Sequence, residues 1–270
     1  MTDYRFDLHI HSRHSHDCSV PVAAILARAK TLGLTGVAIA DHDSFGGSAE
    51  ALSLAPEGLL VIPAAELATE YGHMLCYFIH RAPEAAGLAR SGTLFRFADV
   101  RRFVSDEGGL LFAAHPCRGS RFSAEILPQL DGIEVFNGRN TSRLQGANER
   151  AMDLQRTHSI PFSAGSDAHL LCEVGKAARI FRFGHAPGLD TVRDALARET
   201  AGAVYGEYLK MAPQARYDLA RHLQNHSCKR AVRTALKAVS STYYDTFSAV
   251  RASTRALAGG HVYELEGTEP

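Results

Sequence analysis

The sequence predicts an α/β barrel, and two observations lead to this prediction. Short apolar runs alternate with helical patterns from residue 4 to about residue 200, which is typical of strands joined by right-handed helical crossovers. In addition, His, Asp and Glu recur at or just past the carboxyl ends of the apolar runs. These ends converge on one face of a barrel, whereas in an open sheet they would be strung along a line. We therefore expect a barrel of about seven strands with a functional site at its C-terminal mouth.

The predicted strands are mostly continuous apolar runs, as expected for strands that are covered on both faces. They comprise residues 4–8, 37–40, 59–64, 74–79, 110–114, 132–136, 161–164 and 178–183. Helical periodicity predicts helices over residues 22–32, 48–54, 94–105, 142–158 and 190–198. Strand and helix therefore alternate along most of the chain.

The pattern changes beyond residue 205, and we divide the chain there into a barrel (residues 1–204) and a C-terminal helical extension with a short tail (residues 205–270). Apolar residues recur at steps of four and three from Val232 to Val250, which predicts a long amphipathic helix. Its other face is rich in Arg and Lys. This helix could pack on the barrel, form a homo-oligomer with a second copy of the chain, or hold a phosphodiester backbone.

Composition limits the possible functions. The 270 residues carry 29 basic and 29 acidic side chains, so no global charge favours nucleic acid or an anionic membrane. No apolar run reaches the roughly 18 residues of a membrane span, and the first residues lack the pattern of a signal peptide. The five cysteines are scattered without a Cys-x-x-Cys pair, which argues against disulfides and a thiolate zinc site. We expect a soluble, cytoplasmic protein.

The segment Asp7-Leu8-His9-Ile10-His11 is the first candidate for metal binding. Side chains at positions i and i+2 of a strand point to the same face, so both imidazoles can reach one ion. Imidazole is a preferred ligand of zinc and other divalent first-row metals. Alone this pattern is weak, and its significance depends on the other His, Asp and Glu residues at strand ends.

Seven such motifs follow one another along the chain. They are Asp7-Leu8-His9-Ile10-His11-Ser12, Ala40-Asp41-His42-Asp43-Ser44, Ala64-Ala65-Glu66, Gly72-His73-Met74-Leu75, Ala114-His115-Pro116, Gly132-Ile133-Glu134-Val135-Phe136-Asn137 and Gly165-Ser166-Asp167-Ala168-His169. In type and order they resemble the PHP family (polymerase and histidinol phosphatase domains) of metal-dependent phosphoesterases. The resemblance extends from about residue 5 to residue 183.

This resemblance implies a distorted (β/α)7 TIM-like barrel that holds two or three divalent ions, which would be manganese, iron or zinc. One ion would be bound by His9, His11, Glu66 and Asp167. Glu66 would bridge to a second ion, shared with His73 and His115. A third would be bound by His16, His42 and His169. A carboxylate can bridge two cations and neutralise part of their repulsion, which suits this arrangement.

The third ion has an alternative ligand. Many family members have Ser-Asp-Gly where this chain has Ser15-His16-Asp17. An alignment without a gap places His16 at the ligand position. If the loop shifts by one residue, Asp17 takes that position instead.

The expected function is the hydrolysis of a phosphate ester, either a small phosphomonoester or a short phosphodiester. A hydroxide that bridges two metal ions at Glu66 would attack phosphorus, and Asp43 is a candidate proton donor. Arg118 and Arg139 follow strands at the same barrel face and are candidates for binding the phosphate, because guanidinium matches phosphate with two hydrogen bonds. The expected partner is a small phosphorylated substrate rather than nucleic acid or a membrane.

Two alternatives remain open. The first is a nuclease that acts on the ends of single-stranded DNA or RNA, with the basic C-terminal helix guiding the strand. The second is a metal-binding barrel without catalytic activity. The second would be expected to have lost several ligands, whereas all nine predicted ligand positions are filled here.

Overall fold

The structure is a computed structural model that describes residues 1–119, 122–140, 146–209 and 260–266. Within these residues, twelve strands belong to one sheet. In chain order they are β1 (Thr2–Ile10), β2 (Gly36–Ile39), β3 (Leu60–Thr69), β4 (Gly72–Tyr77), β5 (Arg90–Ser91), β6 (Leu94–Phe95), β7 (Leu110–Ala113), β8 (Gly132–Asn137), β9 (Phe162–Gly165), β10 (Ala177–Phe183), β11 (Gly202–Gly206) and β12 (His261–Leu265). All eight predicted strands are present.

The predicted barrel is confirmed. The pairing order β1-β2-β3-β4-β7-β8-β9-β10 closes on itself, because β10 also pairs with β1. Eight strands therefore form the barrel instead of about seven. Two of them distort it, since β4 and β10 run antiparallel to both of their barrel neighbours. The expectation of helical crossovers throughout is thus wrong at these two strands.

The barrel has fewer strands at its mouth than at its base. Strand β10 pairs with residues 2–6 of β1 but with β9 only at Gly165. Beyond Gly165 the chain pairs directly with β1, where the Asp167 N–H donates to the His9 carbonyl (2.7 Å) and the His11 N–H donates to the Ala168 carbonyl (2.9 Å). Seven strands therefore surround the mouth. We call this direct pairing of β1 with the chain after β9 the seam.

Five α-helices connect or flank the strands in the described ranges: α1 (Val22–Thr31), α2 (Gly46–Leu54), α3 (Phe97–Asp106), α4 (Ala147–His158) and α5 (Leu189–Arg198). Helix α1 follows Pro21, whose φ of −64° suits a helix start. The prediction that a helix begins at residue 94 is wrong, because Leu94–Phe95 pair with β5 and with Thr69 of β3. The predicted start of the fourth helix at residue 142 lies outside the described residues. Among the described helices, none is long and apolar enough to cross a bilayer.

Strands β11 and β12 extend the sheet beyond β10 and lie outside the barrel. The amphipathic helix predicted between Val232 and Val250, with its basic face, falls outside the described residues. The domain division at residue 205 and the possible homo-oligomer therefore stay predictions.

The lower part of the barrel is a packed apolar core. Its interior residues come from β1, β2, β3, β4, β7 and β10 and include Phe6, Leu8, Ala38, Ala40, Ile62, Ala64, Leu75, Tyr77, Phe112 and Phe181, all fully buried. Val192 and Leu196 of α5 pack against the same cluster. In a second apolar cluster, α1 and α2 pack against the outer side of β2 and β3. The interior is thus filled with side chains, as in other small barrels, and the polar site lies above it.

Candidate metal centre

Three candidate ligands are placed by the simple alternation of residues along a strand. His42 and Glu66 lie two residues after, and His73 two residues before, an interior residue of the apolar core, namely Ala40, Ala64 and Leu75. Because alternate side chains of a strand share a face, these three point into the barrel as well. Strand β4 is antiparallel, so its first residues, rather than its last, lie at the mouth. This direction explains why His73 begins its strand.

In strand β1, an irregularity is needed to point the candidate ligands into the barrel. Phe6 and Leu8 belong to the interior core, so regular alternation would place Ile10 inside. The pairing of β1 with β2 instead shifts register between Asp7 and Ile10. Ile10 consequently packs in the outer cluster with α1, while His9 and His11 face Glu66. Such β-bulges commonly re-aim a side chain beside a functional site.

Two other candidate ligands have an unusual backbone. His115 and Asp167, just after β7 and β9, have positive φ values of 32° and 54°. This left-handed region is rarely adopted by residues other than glycine and costs on the order of 1–3 kcal/mol. Both residues direct a side chain towards the same cluster. Strained backbone held in place by the surrounding fold is frequent at functional sites.

Glu66 lies at the centre of the cluster and is 1% exposed. Its Oε2 atom lies 2.9, 3.3 and 3.4 Å from ring nitrogens of His42, His11 and His9. Its Oε1 atom lies 2.9 Å from His73 Nδ1 and 3.2 Å from His115 Nε2. The two oxygens of one buried carboxylate therefore face two separate sets of imidazoles.

Asp167 closes the cluster on the side of the seam. Its Oδ1 atom lies 3.2 Å from His11 Nε2 and 3.9 Å from His9 Nε2. Its Oδ2 atom accepts hydrogen bonds from Arg118 (2.8 Å) and Asn137 (3.2 Å). Arg118, a predicted phosphate ligand, is thus attached directly to a predicted metal ligand.

His42 and His169 form a third group with His11. The carboxylate of Asp17 lies between the first two, with Oδ2 at 3.0 Å from His169 Nε2 and 3.6 Å from His42 Nε2. His16, the residue that we predicted at this position, has its ring 5.3 Å from the ring of His42. Asp17, the alternative from the sequence, thus contacts both His42 and His169, and His16 stays a prediction at this position.

Two of the imidazoles are oriented by residues to which the sequence assigned no role. His9 Nδ1 lies 3.0 Å from Glu134 Oε1, and Glu134 Oε2 also accepts from the His115 N–H and from Asn137. His11 Nδ1 lies 3.0 Å from Ser15 Oγ, which donates to Asp41. A carboxylate within the otherwise apolar strand β8 was the available signal for Glu134, because a buried charge needs a partner.

These contacts assign the proton of both imidazoles to Nδ1, since Glu134 accepts and the Ser15 hydroxyl proton is directed to Asp41. In the neutral form of both imidazoles, the Nε2 atoms of His9 and His11 are acceptors, and they lie 3.1 Å apart. Glu66 Oε2 beside them is buried and accepts no well-aligned hydrogen bond from the described residues. A cation bound between the neutral imidazoles and this carboxylate would satisfy all three acceptors.

The charges of the carboxylates agree with this fit. Burial by itself would raise the pKa of Glu66, but the positive charge of the imidazoles of His42, His73 and His9 in their protonated form holds it well below its usual range. Burial would also raise the pKa of Asp167, but His9, His11 and Arg118 hold it well below its usual range. Both groups are therefore ionised and available as ligands. Three sets of donor atoms lie within 4.8 Å of one another: His9, His11 and Asp167; His11, His42 and His169; and His42, Glu66 and His73.

The remaining predicted site residues lie around this cluster. Asp43, the candidate proton donor, accepts hydrogen bonds at both oxygens, from the Ala68 N–H (2.9 Å) and from Arg90 (2.8 Å). Arg139 is buried, with Nη1 3.5 Å from the Asp167 carbonyl and 3.6 Å from Glu173 Oε2. A cavity of about 370 Å³ adjoins the cluster beside His73, His115 and Arg118.

The fold and the cluster define a barrel protein with a candidate centre for several divalent cations. Family models agree: the model of the PHP domain matches residues 7–91, and that of the PHP-associated region matches residues 145–200. The chain belongs to the PHP family. The first match contains most of the candidate ligands, and the second contains Asp167 and His169.

Known proteins resemble this chain in sequence or in fold. An uncharacterized protein of Methanocaldococcus jannaschii is 32% identical over 150 residues, which cover 48% of this chain and 80% of the relative. A two-domain protein from Bacteroides vulgatus that contains a predicted PHP-like metal-dependent phosphoesterase has a TM-score of 0.61 and 19% identity, with 76% of this chain and 65% of that chain covered. PsfC from Pseudomonas syringae has a TM-score of 0.59 and 17% identity, covering 89% of this chain and 99% of PsfC. At these identities the two structures support the fold alone.

Proposed function

We propose that the protein is a metal-dependent phosphoesterase that hydrolyses a small phosphate ester. The observation that carries this proposal is the position of Glu66, whose two oxygens face separate sets of imidazoles. A carboxylate in this position can join two cations. Ions bound there would lower the pKa of water to about 7 and neutralise phosphoryl oxygens, which is the chemistry that ester hydrolysis requires.

The proposed ligands form three groups around Glu66. A first ion would be held by His9, His11 and Asp167 together with Glu66. A second would be held by Glu66, His73 and His115. A third would be held by His42 and His169 with Asp17, the alternative to His16. Manganese, iron and zinc all suit such mixed imidazole and carboxylate sites.

Arg118 is the stronger candidate for binding the substrate phosphate. Its Nη1 atom donates to Asp167, and its side chain is 27% exposed at the cavity. The other N–H groups of the guanidinium can thus reach a phosphoryl oxygen. Arg139 is more buried and lies near Glu173, so a supporting position is more consistent with its contacts. Asp43 accepts hydrogen bonds at both oxygens, from the Ala68 N–H and from Arg90, and these contacts do not support a role as proton donor.

Replacement of the central carboxylate tests the proposal. We expect Glu66→Gln to reduce the hydrolysis of p-nitrophenyl phosphate by orders of magnitude with manganese, iron or zinc, because the amide cannot join two cations. Its metal content should fall as well, whereas its circular dichroism spectrum should be unchanged. Glu57→Gln, at an exposed position, is the matched control.

Full activity of the Glu66→Gln variant, or no hydrolysis by the native chain with any of the three metals, would refute the proposal. Bis(p-nitrophenyl) phosphate assayed in parallel distinguishes a phosphodiesterase from a phosphomonoesterase. The nuclease alternative depends on the basic segment around residues 232–250, which is outside the described residues, and no contact in the described part of the chain favours it.

A further inference from the structure

We propose that Asn148, a buried residue of helix α4, is a positioning residue of the metal centre, and that it acts through Asn137 on the carboxylate of Asp167. This inference rests on the metal-dependent function proposed above. It gives helix α4, which carries no candidate ligand, a part in keeping the candidate ligands in place.

Asn137, at the end of β8, lies between two buried carboxylates. Its Nδ2 atom donates to Glu134 Oε2 (2.9 Å) and to Asp167 Oδ2 (3.2 Å). Its Oδ1 atom accepts from the Arg139 N–H (2.9 Å), and this backbone donor identifies which end of the amide is the NH2 group. Both protons of the NH2 group are therefore directed at carboxylates.

A shared NH2 group limits how the two carboxylates can turn. Each keeps one oxygen directed at Asn137 and presents the other to an imidazole. Asp167 Oδ1 lies 3.2 Å from His11 Nε2. Glu134 Oε1 lies 3.0 Å from His9 Nδ1. Partners that orient ligands in this way typically contribute roughly 10–100-fold to metal affinity, so Asn137 affects how well Asp167 can bind an ion.

A register shift in β8 gives Asn137 its direction. Ile133 and Val135 pack in an apolar cluster with residues of α4, and regular alternation would place Asn137 on their face of the strand. The pairing of β8 with β9 instead shifts between Glu134 and Phe136. Asn137 consequently contacts Glu134, three residues before it, and points away from the apolar cluster.

Asn148 fixes the backbone of Asn137. It is the second residue of α4 and is 1% exposed. Its Oδ1 atom accepts from the Asn137 N–H (3.1 Å), and its Nδ2 atom donates to the Asn137 carbonyl (3.2 Å). The same Oδ1 atom accepts from Asn140 Nδ2 (2.7 Å). One side chain thus makes both backbone hydrogen bonds of Asn137, as a neighbouring strand would.

The effect of Asn148 on the centre is indirect. No candidate ligand is among the described residues to which Asn148 is hydrogen-bonded. The loop that it holds runs beside the end of β9, where the Gly138 N–H donates to the Gly165 carbonyl (3.0 Å). Asp167 lies two residues further on, so a movement of this loop changes the distance between Asn137 and Asp167.

Zinc binding to the full-length chain in solutions of buffered free zinc tests the inference. The readout is the free zinc concentration at half-saturation, and it does not require turnover. We expect Asn137→Ala and Asn148→Ala each to raise this concentration by about tenfold or more. The double variant should bind zinc no more weakly than Asn137→Ala, because two residues that act in series do not have independent effects.

Gln155→Ala is the matched control on the same helix. Gln155 is also a buried amide, and its Nε2 atom donates to the carbonyls of Ile160 (3.0 Å) and Thr200 (2.7 Å), neither of which belongs to the centre. With a chelator present, Gln155→Ala and Asn148→Ala should both lower the melting temperature, since each leaves buried carbonyls without a donor. Only Asn148→Ala should weaken zinc binding, with Gln155→Ala within about twofold of the native chain.

The visible absorption spectrum of the cobalt(II)-loaded chain reports the geometry of the ligands. Asn137→Ala and Asn148→Ala should alter this spectrum, whereas Gln155→Ala should keep that of the native chain. If Asn148→Ala does not fold, Asn148→Asp replaces it. An acidic residue suits the first turn of a helix, but it cannot donate to the Asn137 carbonyl, so it should also weaken zinc binding.

Unchanged zinc binding by the Asn148 variant would overturn the inference while the metal centre stands. A loss in the double variant that equals the product of the two single losses would overturn it as well, and so would an equal loss in Gln155→Ala. If the native chain itself binds neither zinc nor manganese nor iron, the proposed metal-dependent function fails instead.

Discussion

Glu134 shows how much of the candidate centre depends on side chains that are not themselves candidate ligands. It accepts from His9, from Asn137 and from the backbone of His115, and so fixes three parts of the cluster. Carboxylates that hold a metal-binding imidazole in this way raise its basicity and orient the ring. The motif around Glu134 was recognisable in the sequence, but its role follows only from the contact that the fold makes between β8 and His9 of β1.

Most candidate ligands were predictable because each motif carries its own chemistry. The choice between His16 and Asp17 was not, since neighbouring residues of a loop have no fixed direction. Only the fold brings the Asp17 carboxylate within 3.0 Å of His169. The partners of Asp43, which include Arg90 from β5, were likewise beyond the reach of sequence patterns.

A matched pair of substitutions distinguishes the two loop residues. We expect Asp17→Asn to lower the number of bound ions per chain after dialysis, because the third group loses its own carboxylate. His16→Asn should leave the number close to that of the native chain. Inductively coupled plasma mass spectrometry on both variants gives the result, and the opposite pattern would restore His16 as the ligand.

The strands were easier to predict than their directions. Apolar runs identified all eight barrel strands, but alternation is the same in a parallel and an antiparallel strand, so the reversal of β4 and β10 left no signal. The two-residue strands β5 and β6 are too short to show a period. The bulge in β1 was also hidden, because it changes which face a residue occupies without changing the sequence pattern.

Gly165 allows β9 to approach β1 closely. A Cβ atom there would lie 2.3 Å from His9 Cβ and 2.5 Å from the His9 backbone nitrogen. Because backbone must move to relieve these contacts, we expect Gly165→Ala to lower the free energy of unfolding by about 1–3 kcal/mol or more and to weaken metal binding at His9. Urea denaturation followed by circular dichroism measures the change.

Gly184→Ala is the control for this substitution, since a Cβ atom at Gly184 would have no neighbour within 4 Å among the described residues and the backbone there has no positive φ. It should change the free energy of unfolding by no more than a few tenths of a kcal/mol. If both alanine variants are equally stable, the close approach of β9 to β1 is not as tight as the contacts indicate.

Taken as one molecule, the protein is a barrel whose apolar lower interior supports a polar upper layer. The layer gathers carboxylates and imidazoles that a bound cation would hold together, so we expect metal binding and folding to be coupled. The sequence predicted this arrangement because strand ends in a barrel converge. It did not predict the change from eight strands at the base to seven at the mouth. This change arises because β10 pairs with β9 only at Gly165.

The coupling predicts that metal ions stabilise the fold. At a metal concentration 100-fold above Kd, binding adds about 2.7 kcal/mol, which corresponds to a rise in melting temperature of roughly 5 °C or more for a chain of this size. Differential scanning calorimetry of the native chain with manganese and with a chelator measures it. The Glu66→Gln variant should show a smaller rise, and an identical melting temperature with and without metal in the native chain would contradict the coupling.

The seam has a consequence for how the protein reaches its native state. It joins residues from the two ends of the barrel sequence; Asp7 and Ser166, which are hydrogen-bonded beside it, are 159 positions apart. Such long loops close late and slowly, and until they close His9 and His11 have no Asp167 beside them. A first ion held by these residues would therefore find its ligands together only when the barrel is complete, and its binding would mark the end of folding.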